Sequence, residues 1–199
     1  MIGLSTHPWM SGLFGDDEIA AIFAPEAELQ RYLRIEAAWT RALGKASGNA
    51  DAEEVALSLE TAVIDPAALK DGFAKDGIPI PSLVKILKAR HSADAADLIH
   101  RGLTSQDVMD TSLMLALSEV LATIAARLSA LDQQLAELQV RYGDAKLMAY
   151  TRMQPALETT GAEVISRWRQ PLDQLQTDLV TVGQNTRILQ WGGPIGTRN

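Results

Sequence analysis

The feature that most constrains this chain is an unbroken heptad seam. From Leu117 the apolar residues run Leu117, Leu121, Ile124, Leu128, Leu131, Leu135, Leu138 and Tyr142, at spacings of 4, 3, 4, 3, 4, 3 and 4. Such a period keeps one stripe turned toward a partner helix. It predicts a single helix from about 105 to 142, roughly 57 Å long at the helical rise, with Gly143 at its end. A second seam follows through Ile165, Trp168, Leu172, Leu175, Leu179, Val182, Thr186 and Leu189. Pro171 falls inside that helix, so a kink is expected near residues 167–171. A loop of about 14 residues joins the two helices into an antiparallel pair. Met114, Ala116, Val120 and Val164 lie off both seams and need another surface. A bundle completed by other subunits is favoured over a lone hairpin or a four-helix bundle cut short.

The first hundred residues read differently. Residues 1–15 are irregular, punctuated by Pro8, Gly12 and Gly15. Asp16 caps a short helix through Phe23, and Pro25 starts another to about Ser47, stopped by Gly48 and Asn49. Leu29, Leu33, Ala37 and Thr40 mark one face of it. Asp51 is expected to cap a helix through about Val63, and Asp65-Pro66 to start one through about Lys75. The two prolines of Gly77-Ile78-Pro79-Ile80-Pro81 predict an extended connector, after which Ser82 caps a helix to about His91. A short turn over 93–99 leads to His100. The expected class is all-α: an N-terminal helical domain over 1–103, then the first part of a long-helix bundle over 104–199.

Composition narrows function by exclusion. The 199 residues carry 18 basic and 25 acidic side chains, a net charge of -7, so a phosphate-tracking basic face and a nucleic-acid partner are not expected. No window approaches the ~18 uncharged apolar residues of a membrane span, and residues 1–9 show no secretory signal. The absence of cysteine removes disulfides, thiolate metal sites and cysteine nucleophiles, which fits a cytoplasmic protein. His7, His91 and His100 lack metal-ligand spacing, so no metal is expected. There is no Walker loop, and Gly192-Gly193-Pro194-Ile195-Gly196 lacks dinucleotide-binding spacing.

Two polar clusters remain. His100-Arg101-Gly102-Leu103-Thr104-Ser105-Gln106-Asp107 lies where the long helix begins. Free N–H groups and the positive end of the helix dipole point there, and hydroxyls and an amide beside them can hold a carboxylate or phosphate. Taken alone, the segment reads as an ordinary cap, with Thr104 or Ser105 capping and Asp107 complementing the dipole. The second cluster is Tyr150-Thr151-Arg152-Met153-Gln154-Pro155, which alone reads as a solvated loop. It belongs to the other end of the hairpin, some 50 Å from Ser105. The two clusters meet only if an antiparallel partner subunit brings them together.

At these residues the chain resembles the fumarase/aspartase superfamily. Thr104-Ser105-Gln106-Asp107-Val108-Met109-Asp110-Thr111, preceded by His100 and Gly102, resembles its first signature. Thr151-Arg152-Met153-Gln154-Pro155-Ala156, followed by Thr159-Thr160-Gly161, resembles the second. Ser11-Gly12-Leu13-Phe14-Gly15-Asp16, Arg34-Ile35-Glu36-Ala37-Ala38 and Gln106 look like the bacterial 3-carboxy-cis,cis-muconate lactonizing branch. Arg152 departs from both the histidine of adenylosuccinate lyases and fumarases and the tryptophan of the lactonizing branch. The third signature, a mobile loop with a Met-Pro-x-Lys-x-Asn core, is not found in the 199 residues. The resemblance therefore implies roughly the N-terminal half of such an enzyme.

The resemblance further implies a cofactor-independent cycloisomerase of the protocatechuate branch of aromatic degradation, acting on a small tricarboxylate. It implies a homo-oligomer, a tetramer with sites shared between subunits. Thr104, Ser105 and Gln106 would bind carboxylates, and Thr151, Arg152 and Gln154 would contribute from another subunit. His100 and Ser105 are the catalytic candidates. His100 also reads as a core histidine, and Asp107 as a cap and loop organiser rather than an acid. Another lyase of the superfamily, releasing fumarate as adenylosuccinate lyases do, and a non-catalytic helical assembly module stay open.

Overall fold

A computed structural model describes residues 7–197; most of the signal-peptide reading, over residues 1–6, lies outside them. In chain order the helices are α1 (Ser11–Phe14), α2 (Asp17–Ile22), α3 (Pro25–Ser47), α4 (Ala52–Glu60), α5 (Lys70–Asp76), α6 (Ile80–Lys88), α7 (Ala93–Ala96), α8 (Ser105–Tyr142) and α9 (Gly161–Asn185). A 3₁₀ turn, Pro66–Leu69, precedes α5, and β1 (Lys146–Thr151) pairs antiparallel with β2 (Gln154–Thr160) between α8 and α9. The described chain forms two compact units that divide inside α8. The first runs to Leu117 and includes the residues from Arg187; the second spans Ser118–Thr186.

The first unit has a conventional apolar core. Leu29, Leu33 and Ala37 of α3 pack in one cluster with Val55, Ala56 and Leu59 of α4, Ile80, Leu83 and Leu87 of α6, and Ile99 and Val108. Each fully buried Leu or Ile contributes about 1.5–3 kcal/mol by leaving water. The α3–α4 approach depends on Gly44: a Cβ there would stand 2.0 Å from that of Ala52. Arg41 of α3 reaches Glu53 at 2.9 Å and grips Glu60 through both oxygens, tying the same two helices at their rim.

The second unit is a helical pair with a hairpin. Arg169 of α9 donates to Asp132 at 2.8 and 3.2 Å and to Gln139 at 3.0 Å, which sets the register of α9 on α8. Thr160 and Glu163 form a capping box that starts α9. Burial is sparse: of the α9 residues only Gly161 and Leu172 are buried, and Leu131, Leu138, Trp168 and Val182 on the seams are exposed. The Asp132 carboxyl is held below the usual range chiefly by its hydrogen bonds from Arg169, against a smaller opposing desolvation. A depressed folded-state value stabilises above the unfolded value near ~3.9 and stops doing so as pH falls through the folded value. Melts between pH 6 and 3 are therefore expected to show a small, salt-sensitive acid loss that Asp132→Asn removes. An identical acid profile in the variant would show that the pair contributes nothing.

Several local expectations change. The segment before α6 is not extended. Pro79 adopts φ -79, ψ -25 and Pro81 lies in the first turn of α6, where a missing N–H costs nothing, so the helix starts at Ile80 and Ser82 is not its cap. Asp51 precedes α4 but makes no side-chain cap bond; α4 stops at Glu60. Residues 11–14 and 93–96 each form a helical turn, and the loop between the long helices is the β-hairpin. The second helix ends at Asn185, so Leu189 of the expected seam is not helical. Ala116 is buried within the first unit and needs no outside surface. An 18-residue window of α8 reaches mean hydropathy 1.6, enough by length and composition to cross a bilayer, contrary to the sequence expectation. Only 6% of that window is buried. A bundle helix that is apolar on more than one face passes the same test.

Candidate functional site

The site is built around the turn that leads into α8. Leu98, Ile99 and Leu103 are buried and hold the turn to the core. Between them His100 takes φ 59 and Gly102 φ 78, both left-handed, and the Leu103 N–H donates to the His100 carbonyl at 3.3 Å. Left-handed geometry is rare for a residue with a Cβ, so His100 is held there by its surroundings. Two side chains from neighbouring turns of α3 do the holding. Glu36 Oε1 lies 2.6 Å from His100 Nδ1, and Trp39 Nε1 donates to the Arg101 carbonyl at 2.7 Å. Further along, buried Arg31 donates to Ser112 Oγ at 3.3 Å.

Asp107 is the hub. Its Oδ2 accepts from the N–H of Thr104 and of Gly193, each at 3.0 Å, and its Oδ1 accepts from Gly192 N–H at 2.8 Å. The side chain is buried. One turn later Thr111 Oγ1 donates to the Gln190 carbonyl and accepts from the Gln190 N–H at 3.1 Å. The segment after α9 is thus fastened to the start of α8 at both Gln190 and Gly192-Gly193. Gly193 adopts φ 70, and a Cβ on it would press within 3.3 Å of the Gly102 carbonyl, so glycine is needed at this contact. Trp39 and Trp191 meet at a ring separation of 5.2 Å, tilted by 56°. Beneath them lies a cavity of about 470 Å³, bounded by these tryptophans, Arg34, Glu60, Asp107 and Thr111 among others. Hydrogen bonds from Arg41 hold the Glu60 carboxyl below the usual range, with Arg34 adding a smaller pull.

The sequence candidates fall into two groups. His100, Thr104, Ser105, Gln106 and Asp107 come together in the first unit. Thr104 precedes the first residue of α8, and its carbonyl accepts from the Asp107 N–H at 3.0 Å. The Gln106 amide is turned along its own helix, donating to both Asp110 oxygens at 2.8 and 2.9 Å. Thr151, Arg152 and Gln154 lie in the second unit, at the tip of the β-hairpin. Thr151 pairs with Gln154 across a two-residue turn in which Arg152 (φ 46) and Met153 (φ 63) are both left-handed. That turn normally selects Asn-Gly. Met153 is 97% exposed at its apex.

Sequence reasoning missed Glu36, Trp39, Thr111, Gln190 and the two glycines as parts of the site. A signal for Glu36 was present: it sits with Leu29, Leu33, Ala37 and Thr40 on the core stripe of α3, an odd place for a charge. For Gly192-Gly193 there was none, because their partner is 85 residues away.

The start of α8 thus gathers a docked histidine, a buried aspartate and the first-turn N–H groups of a long helix. Residues 16–198 match the family model described as Lyase. The chain belongs to that family, within the fumarase/aspartase superfamily. It is 34% identical over 190 residues to the 3-carboxy-cis,cis-muconate cycloisomerase of Pseudomonas aeruginosa, covering 89% of this chain and 40% of that protein. Against the adenylosuccinate lyase of Archaeoglobus fulgidus the identity is 25% over 185 residues, covering 93% and 41%. The solved 3-carboxy-cis,cis-muconate lactonizing enzyme of Pseudomonas putida matches with a TM-score of 0.84 at 29% identity, over 96% of this chain and 45% of that one. The chain therefore spans less than half the length of these relatives.

Proposed function

We propose that this chain carries the first part of a 3-carboxy-cis,cis-muconate cycloisomerase, an intramolecular lyase that interconverts 3-carboxy-cis,cis-muconate and 4-carboxymuconolactone. The observation that carries the reading is the Thr104–Asp107 bond at 3.0 Å, by which a buried carboxylate organises the first-signature turn at the N-terminus of α8. Asp107 consumes the Thr104 N–H, and the N–H groups of Ser105 and Gln106 stay in the first turn, where a helix supplies no acceptor. Those groups, the Ser105 and Thr104 hydroxyls and the helix dipole form a carboxylate site. In the reaction a substrate carboxylate oxygen adds across a conjugated double bond and the neighbouring carbon gains a proton. Negative charge spreads as an enolate onto another carboxylate, so fixed donors stabilise it and a general acid completes it. Ser105 is assigned to the charge, and His100 to positioning or proton handling. Thr151, Arg152 and Gln154 approach from another subunit of a homo-oligomer, a tetramer, whose assembly rather than a bilayer covers the exposed seams of α8 and α9. A soluble tricarboxylate substrate and a cytoplasmic location fit this reading.

Binding of a tricarboxylate followed by calorimetry tests the site. Ser105→Ala is expected to weaken it by ~1 kcal/mol or more, the scale of a hydrogen bond to a charged group. Unchanged affinity would return the turn to an ordinary helix cap. Assembly is tested by light scattering. The unmutated chain is expected to associate, and aspartate at both Leu128 and Leu131 to dissociate it; a folded monomer before mutation would overturn the shared-site reading. A second reading rests on the adenylosuccinate lyase similarity, and release of fumarate from a succinyl adduct would establish it instead.

A further inference from the structure

Glu36 and Asp107 are the two buried acidic residues of the described chain, and they behave differently. Asp107 gathers three backbone N–H groups. Glu36, with no exposure at all, makes one hydrogen bond, to His100 Nδ1 at 2.6 Å. Among the described residues its other oxygen, Oε2, is buried without a partner, as is Thr40 Oγ1 one turn further along α3. A carboxylate kept in the core to hold structure would have both oxygens engaged, because burying a charge is costly unless it is paired and hydrogen-bonded. Glu36 instead spends its burial on a single imidazole. That imidazole is 16% exposed while its partner is fully enclosed, so the pair runs from the core outward to the surface. The backbone that carries the ring is left-handed at φ 59, and the next carbonyl is clamped by Trp39. The ring is thus held by Glu36 and the backbone beside it by Trp39, four positions ahead of Thr104.

We propose that Glu36 is a positioning residue for His100. It accepts a hydrogen bond from the protonated Nδ1 and fixes the tautomer, so that Nε2 is the nitrogen that meets a carboxylate ligand of the Thr104–Gln106 turn. Which nitrogen of a histidine carries the proton is set by the hydrogen bond the other side makes, and a carboxylate on Nδ1 is the arrangement that orients an imidazole for proton handling. The ligand half of this inference rests on the carboxylate-binding reading above; the tautomer half does not.

The test is ring-nitrogen NMR on the ¹⁵N-labelled 199-residue chain, with His7→Gln and His91→Gln supplying the assignments. The neutral His100 ring is expected to carry its proton on Nδ1. Glu36→Gln is expected to move both ring-nitrogen shifts, and Glu36→Leu to transfer the proton to Nε2. Citrate, a tricarboxylate probe, is expected to shift Nε2 of the unmutated chain far more than Nδ1. Its dissociation constant should rise about tenfold in Glu36→Gln, the scale of weakening one hydrogen bond to a charged group. A neutral His100 protonated on Nε2 in the unmutated chain would overturn the proposal without any variant having to fold. Ring shifts unchanged by Glu36→Gln and Glu36→Leu would overturn it as well. If citrate fails to bind the unmutated chain, the carboxylate-binding reading falls, while the tautomer result still decides the role of Glu36.

Discussion

Replacing Asp107 with alanine is expected to unfasten the start of α8. Three backbone N–H groups, of Thr104, Gly192 and Gly193, lose their acceptor together. An unsatisfied buried donor costs about 1–3 kcal/mol, and Gly193 is buried while the other two are only partly so. Water repairs part of the loss at the edge, so the total is expected at about 3 kcal/mol or more, not the full sum. The segment from Gln190 to Gly193 should then be held only by the Thr111 bonds to Gln190 and the Trp39–Trp191 contact, and gain protease sensitivity. Asp107→Asn keeps one acceptor oxygen and turns an amide toward N–H groups, so it should destabilise nearly as much. Asp110→Asn is the control: among the described residues Asp110 accepts only from the Gln106 amide of its own helix, and its loss should cost below about 1 kcal/mol. Urea unfolding of the three variants ranks them, and equal stability of Asp107→Ala and Asp110→Asn would show that the hub is not holding the turn.

The second large effect concerns turnover. On the proposed function, the 199-residue chain is expected to convert 3-carboxy-cis,cis-muconate far more slowly than a chain extended to the length of its relatives. The present residues match 40–45% of those proteins, and the loop signature the superfamily uses as its third segment is not found among them. Losing one preorganised donor costs about 10²–10³ in rate. Losing a mobile loop should cost more, since closure also excludes water. Loss of muconate ultraviolet absorbance, followed for both chains, measures this. Comparable turnover would place the chemistry wholly in the two signatures and remove the assigned role of the missing loop.

How far each level reached follows from the range of the interactions involved. Repeating local patterns were enough for α8, whose ends at Ser105 and Tyr142 were read from a seam and a glycine. The same holds for α3, bounded by Pro25 and Gly48. Heptads, caps and breakers act within a turn or two of backbone, so a linear reading contains them. The first signature was legible as residues but ambiguous as chemistry, because an N-cap and an anion site use the same groups. Sequence failed where a local preference had two outcomes. Two prolines can extend a chain or begin a helix, and only the packing of Ile80, Leu83 and Leu87 into the core chose the helix. The Arg152-Met153 turn lacks the Asn-Gly that would announce a hairpin, and its left-handed geometry is imposed by the pairing of β1 with β2. The family, the long helices and the identity of the signature residues were thus determined by sequence alone. Only tertiary structure decided that Glu36 meets His100 across 64 positions and that Asp107 meets Gly192 across 85. Such contacts have no local period, and they exist only once the core has set α3, the turn before α8 and the segment after α9 side by side.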